Sequence, residues 1–212
     1  MSMPKIVRIG VIVAYNMEDM ELIVPLDIWR RAKFAVETIS CEVKNSASLN
    51  YSNLKISTNL KLKLTNLDQY DVLFFPGGPG FKAYFSPPAT KKDLNESKLH
   101  TTIKKFYKDE NKWLVSICAA PAALVTILER ELDDKTRFTC YNDIKLTRDY
   151  SKLWVNKPIV VDFKNKFITA QAAGCALALA FLVVEIFSSR ETALELAKSI
   201  HYDYQSPLLE QA

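Results

Sequence analysis

Three stretches of this 212-residue chain are apolar almost without interruption: Ile6–Val13, broken only by Arg8 and Gly10, then Asp71–Phe75, then Trp113–Ile117. A strand with one wet face alternates apolar and polar residues. A run this continuous suits a strand buried on both faces, as in a parallel sheet covered by helices. Helical periodicities fall between such runs. Leu22, Leu26 and Trp29 recur at i, i+4 and i+7, with Val24 and Ile28 beside them, and Leu99, Ile103 and Phe106 mark a second amphipathic helix to about Asp109. An alanine-rich helix is expected over Ala119–Leu128, a buried one from Gly174 to Phe187, and a last amphipathic one over Thr192–Ile200.

The remaining signals are shorter. Glu37–Val43 alternates, with Ile39, Cys41 and Val43 on one face, and reads as a strand. Ser46–Leu64 is polar with short strand-like pieces, and Phe81–Ser97 reads as a loop. Ile159–Val161 and Phe167–Thr169 read as a hairpin around Lys164-Asn165-Lys166. Proline is tolerated in the first turn of a helix and disruptive within it. Pro25 therefore predicts a helix starting near Val24, with Glu21 at or before its N-terminus. The pattern as a whole predicts an α/β sandwich: a largely parallel central sheet with helices on both faces. Its length, with no repeat, linker or low-complexity segment, fits a single domain over residues 1–212.

Composition excludes several function classes. The net charge of +4 comes from scattered lysines rather than a dense patch, so no nucleic-acid partner is expected. The longest apolar stretch, Ala172–Val184, falls short of the ~20 residues that span a bilayer, so no membrane partner is expected. The N-terminus has no apolar leader, which points to a cytoplasmic setting with reduced thiols. The cysteines at 41, 118, 140 and 175 show neither CxxC nor zinc spacing, and no metal or organic cofactor is expected. Histidine is scarce: only His100 and His201.

The chemistry concentrates at Ser116-Ile-Cys118-Ala-Ala-Pro121, where a buried strand turns at once into a helix. Open α/β sheets gather ligands at the carboxyl ends of their strands, and a nucleophile at such an elbow projects into that crevice. The helix N-terminus favours the thiolate, and the Ala119 amide could donate to a developing oxyanion. Pro121 fits the first helical turn. A small cysteine packed in the core accounts for the pattern equally well. Gly77-Gly78, after another buried strand, would let backbone amides approach a substrate at the same edge, or simply make a tight turn. No P-loop or GxGxxG pattern is present.

Three segments together resemble the ThiJ/PfpI superfamily, and within it the DJ-one-like subgroup: Asn16–Ala32, Phe75-Pro-Gly-Gly78 and Ser116–Pro121. The similarity runs in order over most of the chain. It implies a flavodoxin-like sandwich, a homodimer, and a nucleophilic cysteine at Cys118. It further implies that the protonated carboxyl of Glu21 hydrogen-bonds the cysteine sulfur, with oxyanion donors at Gly78 and Ala119 beside Gly77. The implied activities are cofactor-free conversion of small aldehydes such as methylglyoxal to lactate, deglycation, peptidase activity and redox sensing. The ThiJ label adds thiamine-precursor metabolism, for which no phosphate-binding loop is visible. Family peptidases carry histidine directly after the cysteine; Ala119 stands there, which argues against a peptidase. The subgroup's second-site histidine falls on Cys140, a poorer proton shuttle at neutral pH. If Cys140 faces Cys118, the two thiols are candidates for a reversible disulfide after peroxide has made a sulfenic acid on Cys118; a plain structural Cys140 is the alternative. Ala170–Gly174 replaces a more polar loop of the family.

Overall fold

A computed structural model describes residues 5–42, 46–85, 98–143 and 147–210. Among the described residues, the strands are β1 (Arg8–Val13), β2 (Ala35–Ser40), β3 (Ser46–Ser48), β4 (Lys55–Ser57), β5 (Leu60–Lys61), β6 (Val72–Phe75), β7 (Trp113–Ile117), β8 (Ile159–Asp162) and β9 (Phe167–Ala170). The helices are α1 (Asp19–Arg31), α2 (Lys98–Lys108), α3 (Ala120–Ile127), α4 (Ala176–Phe187) and α5 (Arg190–Ser199).

Seven strands form one sheet in the order β5-β2-β1-β6-β7-β9-β8, parallel except for the β8–β9 hairpin. The continuous apolar runs hold its centre: every residue of β6 and β7 is buried. From β1 the chain steps through α1 to β2 on one side, and β6 steps through α2 to β7 on the other. Right-handed crossovers then put α1 and α2 on opposite faces. The sheet is thus a doubly wound sandwich whose order reverses between β1 and β6, and the crevice beyond their carboxyl ends is the natural ligand position.

Several boundaries differ from the sequence reading. α1 begins at Asp19 rather than near Val24, so Glu21 lies inside its first turn and Pro25 inside the helix. The Glu18 side chain caps the turn by accepting from the Glu21 amide at 2.7 Å, and Asp19 complements the helix dipole. Pro25 removes only the donor that would meet the Glu21 carbonyl, and it lies on the buried side of the helix. β2 spans Ala35–Ser40 instead of Glu37–Val43; Val43 lies outside the described residues. Gly174 does not open the regular helix: it is the middle residue of a short 3-10 turn, Ala173–Cys175, and the helix follows from Ala176. Pro79–Tyr84 forms a 3-10 helix that runs into the start of the expected Phe81–Ser97 loop, whose residues 86–97 lie outside the described set. No helix among the described residues is long and apolar enough to cross a membrane.

Candidate active site

Four loops meet at the carboxyl edge of the sheet: those after β1, β6, β7 and β9. The first two are stitched together, since the Glu18 amide donates to the Gly77 carbonyl at 3.2 Å and the Gly80 amide to the Asn16 carbonyl at 3.1 Å. The close approach leaves no room for side chains on the glycine loop. A Cβ on Gly77 would stand 2.7 Å from both the Cys118 Cβ and Glu21 Oε2, and 2.8 Å from the Ile117 carbonyl oxygen. Gly78 has φ +85°, and a Cβ there would collide with the Glu18 amide.

Cys118 follows β7 directly with φ +64°, a left-handed conformation that is strained for a residue with a Cβ. Its backbone is clamped from both sides. The Cys118 amide donates to the Ala170 carbonyl at 2.9 Å, and its carbonyl accepts from the Tyr141 amide at 2.6 Å. The side chain is thereby turned toward Glu21 and the backbone amides of Gly78 and Ala119. Glu21 is fully buried; its Oε2 accepts from the Gly77 amide at 2.9 Å, while Oε1 is buried without a hydrogen-bond partner.

The electrostatics qualify one expectation. Burial pushes the Glu21 carboxyl up to about 7; the nearby Cys118 thiol and the hydrogen bond from the Gly77 amide oppose this, and the Glu18 charge adds to it. Burial also pushes the Cys118 thiol up, reinforced by the neighbouring Glu21 charge and opposed by the Gly78 and Ala119 amides. The helix N-terminus was expected to favour the thiolate. The two amides do face the sulfur, but burial and an ionised Glu21 outweigh them. Two adjacent groups that resist carrying charge together titrate as a unit. Protonating Glu21 removes the repulsion.

The structure therefore gathers Cys118, Glu21, Gly77, Gly78 and Ala119 at one point. Cys140 is completely buried, and the residue after it, Tyr141, donates its amide to the Cys118 carbonyl. Its thiol donates to the Tyr141 carbonyl at 3.5 Å and is pushed up to about 12, mainly by burial. Neither histidine is among the groups around Cys118. The His100 ring meets the Tyr84 carbonyl at 2.8 Å, and His201 sits exposed just past α5. No cluster of three or more His, Cys, Asp or Glu side chains among the described residues could hold a metal ion.

Four supporting residues were missed. Glu18 caps α1 and repels charge on Glu21; its spacing to Glu21 is that of a capping box, a readable signal. The Thr169 hydroxyl, on β9, accepts from the Thr139 amide at 2.9 Å and so carries the Cys140 segment, while Thr139 Oγ1 is itself buried without a partner. Trp154 pairs with Phe138 across a parallel bridge, and its indole N–H faces the Cys140 sulfur without the alignment of a full hydrogen bond. No local signal marks the last three, because their partners are distant in sequence.

Residues 7–186 match the sequence model of the DJ-1/PfpI family. The chain is 28% identical to an uncharacterised protein of Mycoplasma pneumoniae, over 94% of this chain and 91% of that one. It is 22% identical to a fission-yeast (Schizosaccharomyces pombe) protein named glutathione-independent glyoxalase DJ-1, over 92% and 98% of the two chains. The solved structure of oxidized Toxoplasma gondii DJ-1 superposes with a TM-score of 0.77 at 22% identity, covering 93% of this chain and all of that one.

Proposed function

The chain belongs to the DJ-1/PfpI family, and from that premise we propose that it is a cysteine-dependent enzyme acting on small reactive aldehydes, with methylglyoxal as the type substrate. The observation that carries this reading is the placement of the Cys118 side chain between a buried carboxyl, Glu21, and two backbone amides, Gly78 and Ala119. The name of the fission-yeast relative supports the same substrate class.

As Cys118 attacks the aldehyde carbon, its thiol proton passes by way of Glu21 to the carbonyl oxygen, which faces the Gly78 and Ala119 amides and becomes the hydroxyl of a hemithioacetal. A proton then moves from that carbon to the adjacent ketone carbon through an enediol. Glu21 is suited to this transfer, because its raised affinity for a proton lies near neutral pH. The resulting thioester is hydrolysed to lactate and free thiol. No step requires a metal or an organic cofactor. The test is lactate release from methylglyoxal by the parent and by Cys118→Ala. The reading expects loss in the variant, and equal rates would end it.

A second reading is favoured by Cys140 itself. Its thiol, pushed up to about 12, stands where the resemblance expects a histidine, so proton transfer at that position is slow near neutral pH. The chain would then serve as an oxidative-stress sensor through oxidation of Cys118. Cys140→His separates the two: a large rise in lactate formation from a near-zero parent rate favours the sensor.

The homodimer implied by family membership has a candidate face. Tyr15, Met20, Ile23, Tyr51 and Leu54 are exposed, and the Asp19 carboxylate ties the β3–β4 hairpin to the start of α1 through the Tyr51 and Ser52 amides. An apolar cluster of this kind is typical of contact surfaces. Met20→Glu with Ile23→Glu should halve the mass measured by light scattering; an unchanged mass would move the contact elsewhere.

A further inference from the structure

Beneath the glycine loop lies a phenol that the aldehyde chemistry does not use. Tyr84 ends the 3-10 helix Pro79–Tyr84 and is fully buried. Its ring stands edge-on to Phe75 with centroids 5.4 Å apart, and its carbonyl meets His100 Nε2 at 2.8 Å. The pairing of β1 with β6 gives out after Val11 and Phe74, and the hydroxyl enters where the two strands part. It lies 2.8 Å from the Pro76 carbonyl oxygen, 3.0 Å from that of Ile12 and 3.3 Å from the Met17 sulfur. A phenol has a single proton to donate, and the Pro76 carbonyl is the shortest contact. Burial, with the charges of Cys41 and Glu21, holds that proton on well above the ordinary range, so Tyr84 stays a donor across physiological pH.

The Pro76 carbonyl and the Gly77 amide belong to one peptide unit. That unit is trans, so its C=O and N–H point in opposite directions. Tyr84 holds one end, and Glu21 Oε2 accepts from the other at 2.9 Å. Turning the plane would break both bonds. A hydrogen bond at the carbonyl also polarises the unit and strengthens its N–H as a donor. We propose that Tyr84 is a positioning residue of the active site, whose hydroxyl fixes and polarises the Pro76–Gly77 peptide so that the Gly77 amide holds the Glu21 carboxyl beside Cys118. The proposal deepens the aldehyde reading and rests on it for the use made of Glu21. Among the described residues, the titratable groups that face Glu21 are Glu18 on its own helix, Cys118 after β7 and Tyr84 itself.

The experiment follows Glu21 by NMR in the full-length, substrate-free protein, with glutamate isotope-labelled at its carboxyl carbon and the signal assigned by its loss in Glu21→Gln. A weaker Gly77 donor favours the carboxylate less, so the titration midpoint in Tyr84→Phe should rise by about half a pH unit. Tyr107→Phe strips a comparable buried hydroxyl, 3.0 Å from Thr136 Oγ1, and should leave the midpoint at the parental value. An unmoved or lowered midpoint in Tyr84→Phe, or equal shifts in both variants, would overturn the proposal. If Tyr84→Phe fails to fold, the parent decides: with tyrosine labelled at Cζ, the Tyr84 hydroxyl proton should resist solvent exchange and shift as Glu21 titrates. A hydroxyl proton in fast exchange, or indifferent to that titration, would overturn it equally. The acid limb of kcat/KM for lactate formation should move up with the midpoint. No lactate from the parent would end the aldehyde reading and leave the midpoint comparison to decide the role of Tyr84.

Discussion

The Gly77 amide donates to one oxygen of Glu21 at 2.9 Å, and the other oxygen is buried with no partner. A carboxylate half-satisfied in this way prefers to hold a proton, and burial raises its affinity to about pH 7 from an ordinary value of 4.5. The folded chain then binds more protons than the unfolded chain between these values. Stability falls as pH rises through that window, by on the order of 3 kcal/mol in total, and the loss is absent below it. Glu21→Gln keeps a side-chain acceptor for Gly77 and does not titrate. The Tm of the parent relative to Glu21→Gln should therefore drop between pH 5 and pH 8. A constant difference across that range would refute the raised carboxyl.

Gly77→Ala tests the close approach at the same point. The added Cβ meets the Cys118 Cβ, the Glu21 carboxylate and the Ile117 carbonyl at once, and the last of these is backbone that cannot step aside. The expected cost is about 1–3 kcal/mol in denaturant unfolding. Alkylation of Cys118 by iodoacetamide should change with it, because the carboxyl is displaced from the sulfur. A variant with parental stability and parental alkylation rate would show that the loop has room.

The positive φ of Cys118 predicts an inverted ranking. Glycine is normally more destabilising than alanine, through its entropy in the unfolded chain. At φ +64° the Cβ itself is strained, by roughly 1–2 kcal/mol. Cys118→Gly should therefore unfold at equal or higher denaturant than Cys118→Ala, with both unable to form lactate. If alanine proves clearly more stable, the elbow stores no such strain.

Thr169→Val removes the acceptor of the buried Thr139 amide at nearly constant volume. An orphaned buried N–H costs about 1–3 kcal/mol, and Thr169→Ser, which keeps the hydroxyl, should recover most of it. The valine variant should also loosen the Cys140 segment, seen as faster hydrogen exchange at Thr139 and Tyr141. Unchanged exchange would mean that the backbone pairing of Phe138 suffices.

Burial on both faces is what made the central strands legible. Trp113–Ile117 is apolar because α/β layering leaves no wet side, and its bounds coincide with β7. Cys118, Gly77, Gly78 and Ala119 followed from their positions directly after such strands, whereas Glu21 entered only through the family resemblance. The start of α1 is not legible from Pro25, which this helix accommodates inside it, but from the cap that the Glu18 side chain supplies. β5, two residues long, has too little pattern to see; it exists because β2 offers it a partner. The left-handed turn at Cys118 leaves no compositional trace, since the usual marker, glycine, is absent there. Thr169 and Trp154 act on the site from distant parts of the chain, a relation that only the fold creates.

The two borders of the central sheet carry a consequence for assembly. One border is β5, with a single pair of residues. The other is β8, a four-residue antiparallel strand entered through Pro158, which has no amide to offer a neighbouring strand. Neither gives an incoming chain enough free backbone for continuous cross-strand growth. An interface between copies would have to be built from side-chain surfaces, which can be tuned residue by residue, rather than from open-ended strand addition at these borders.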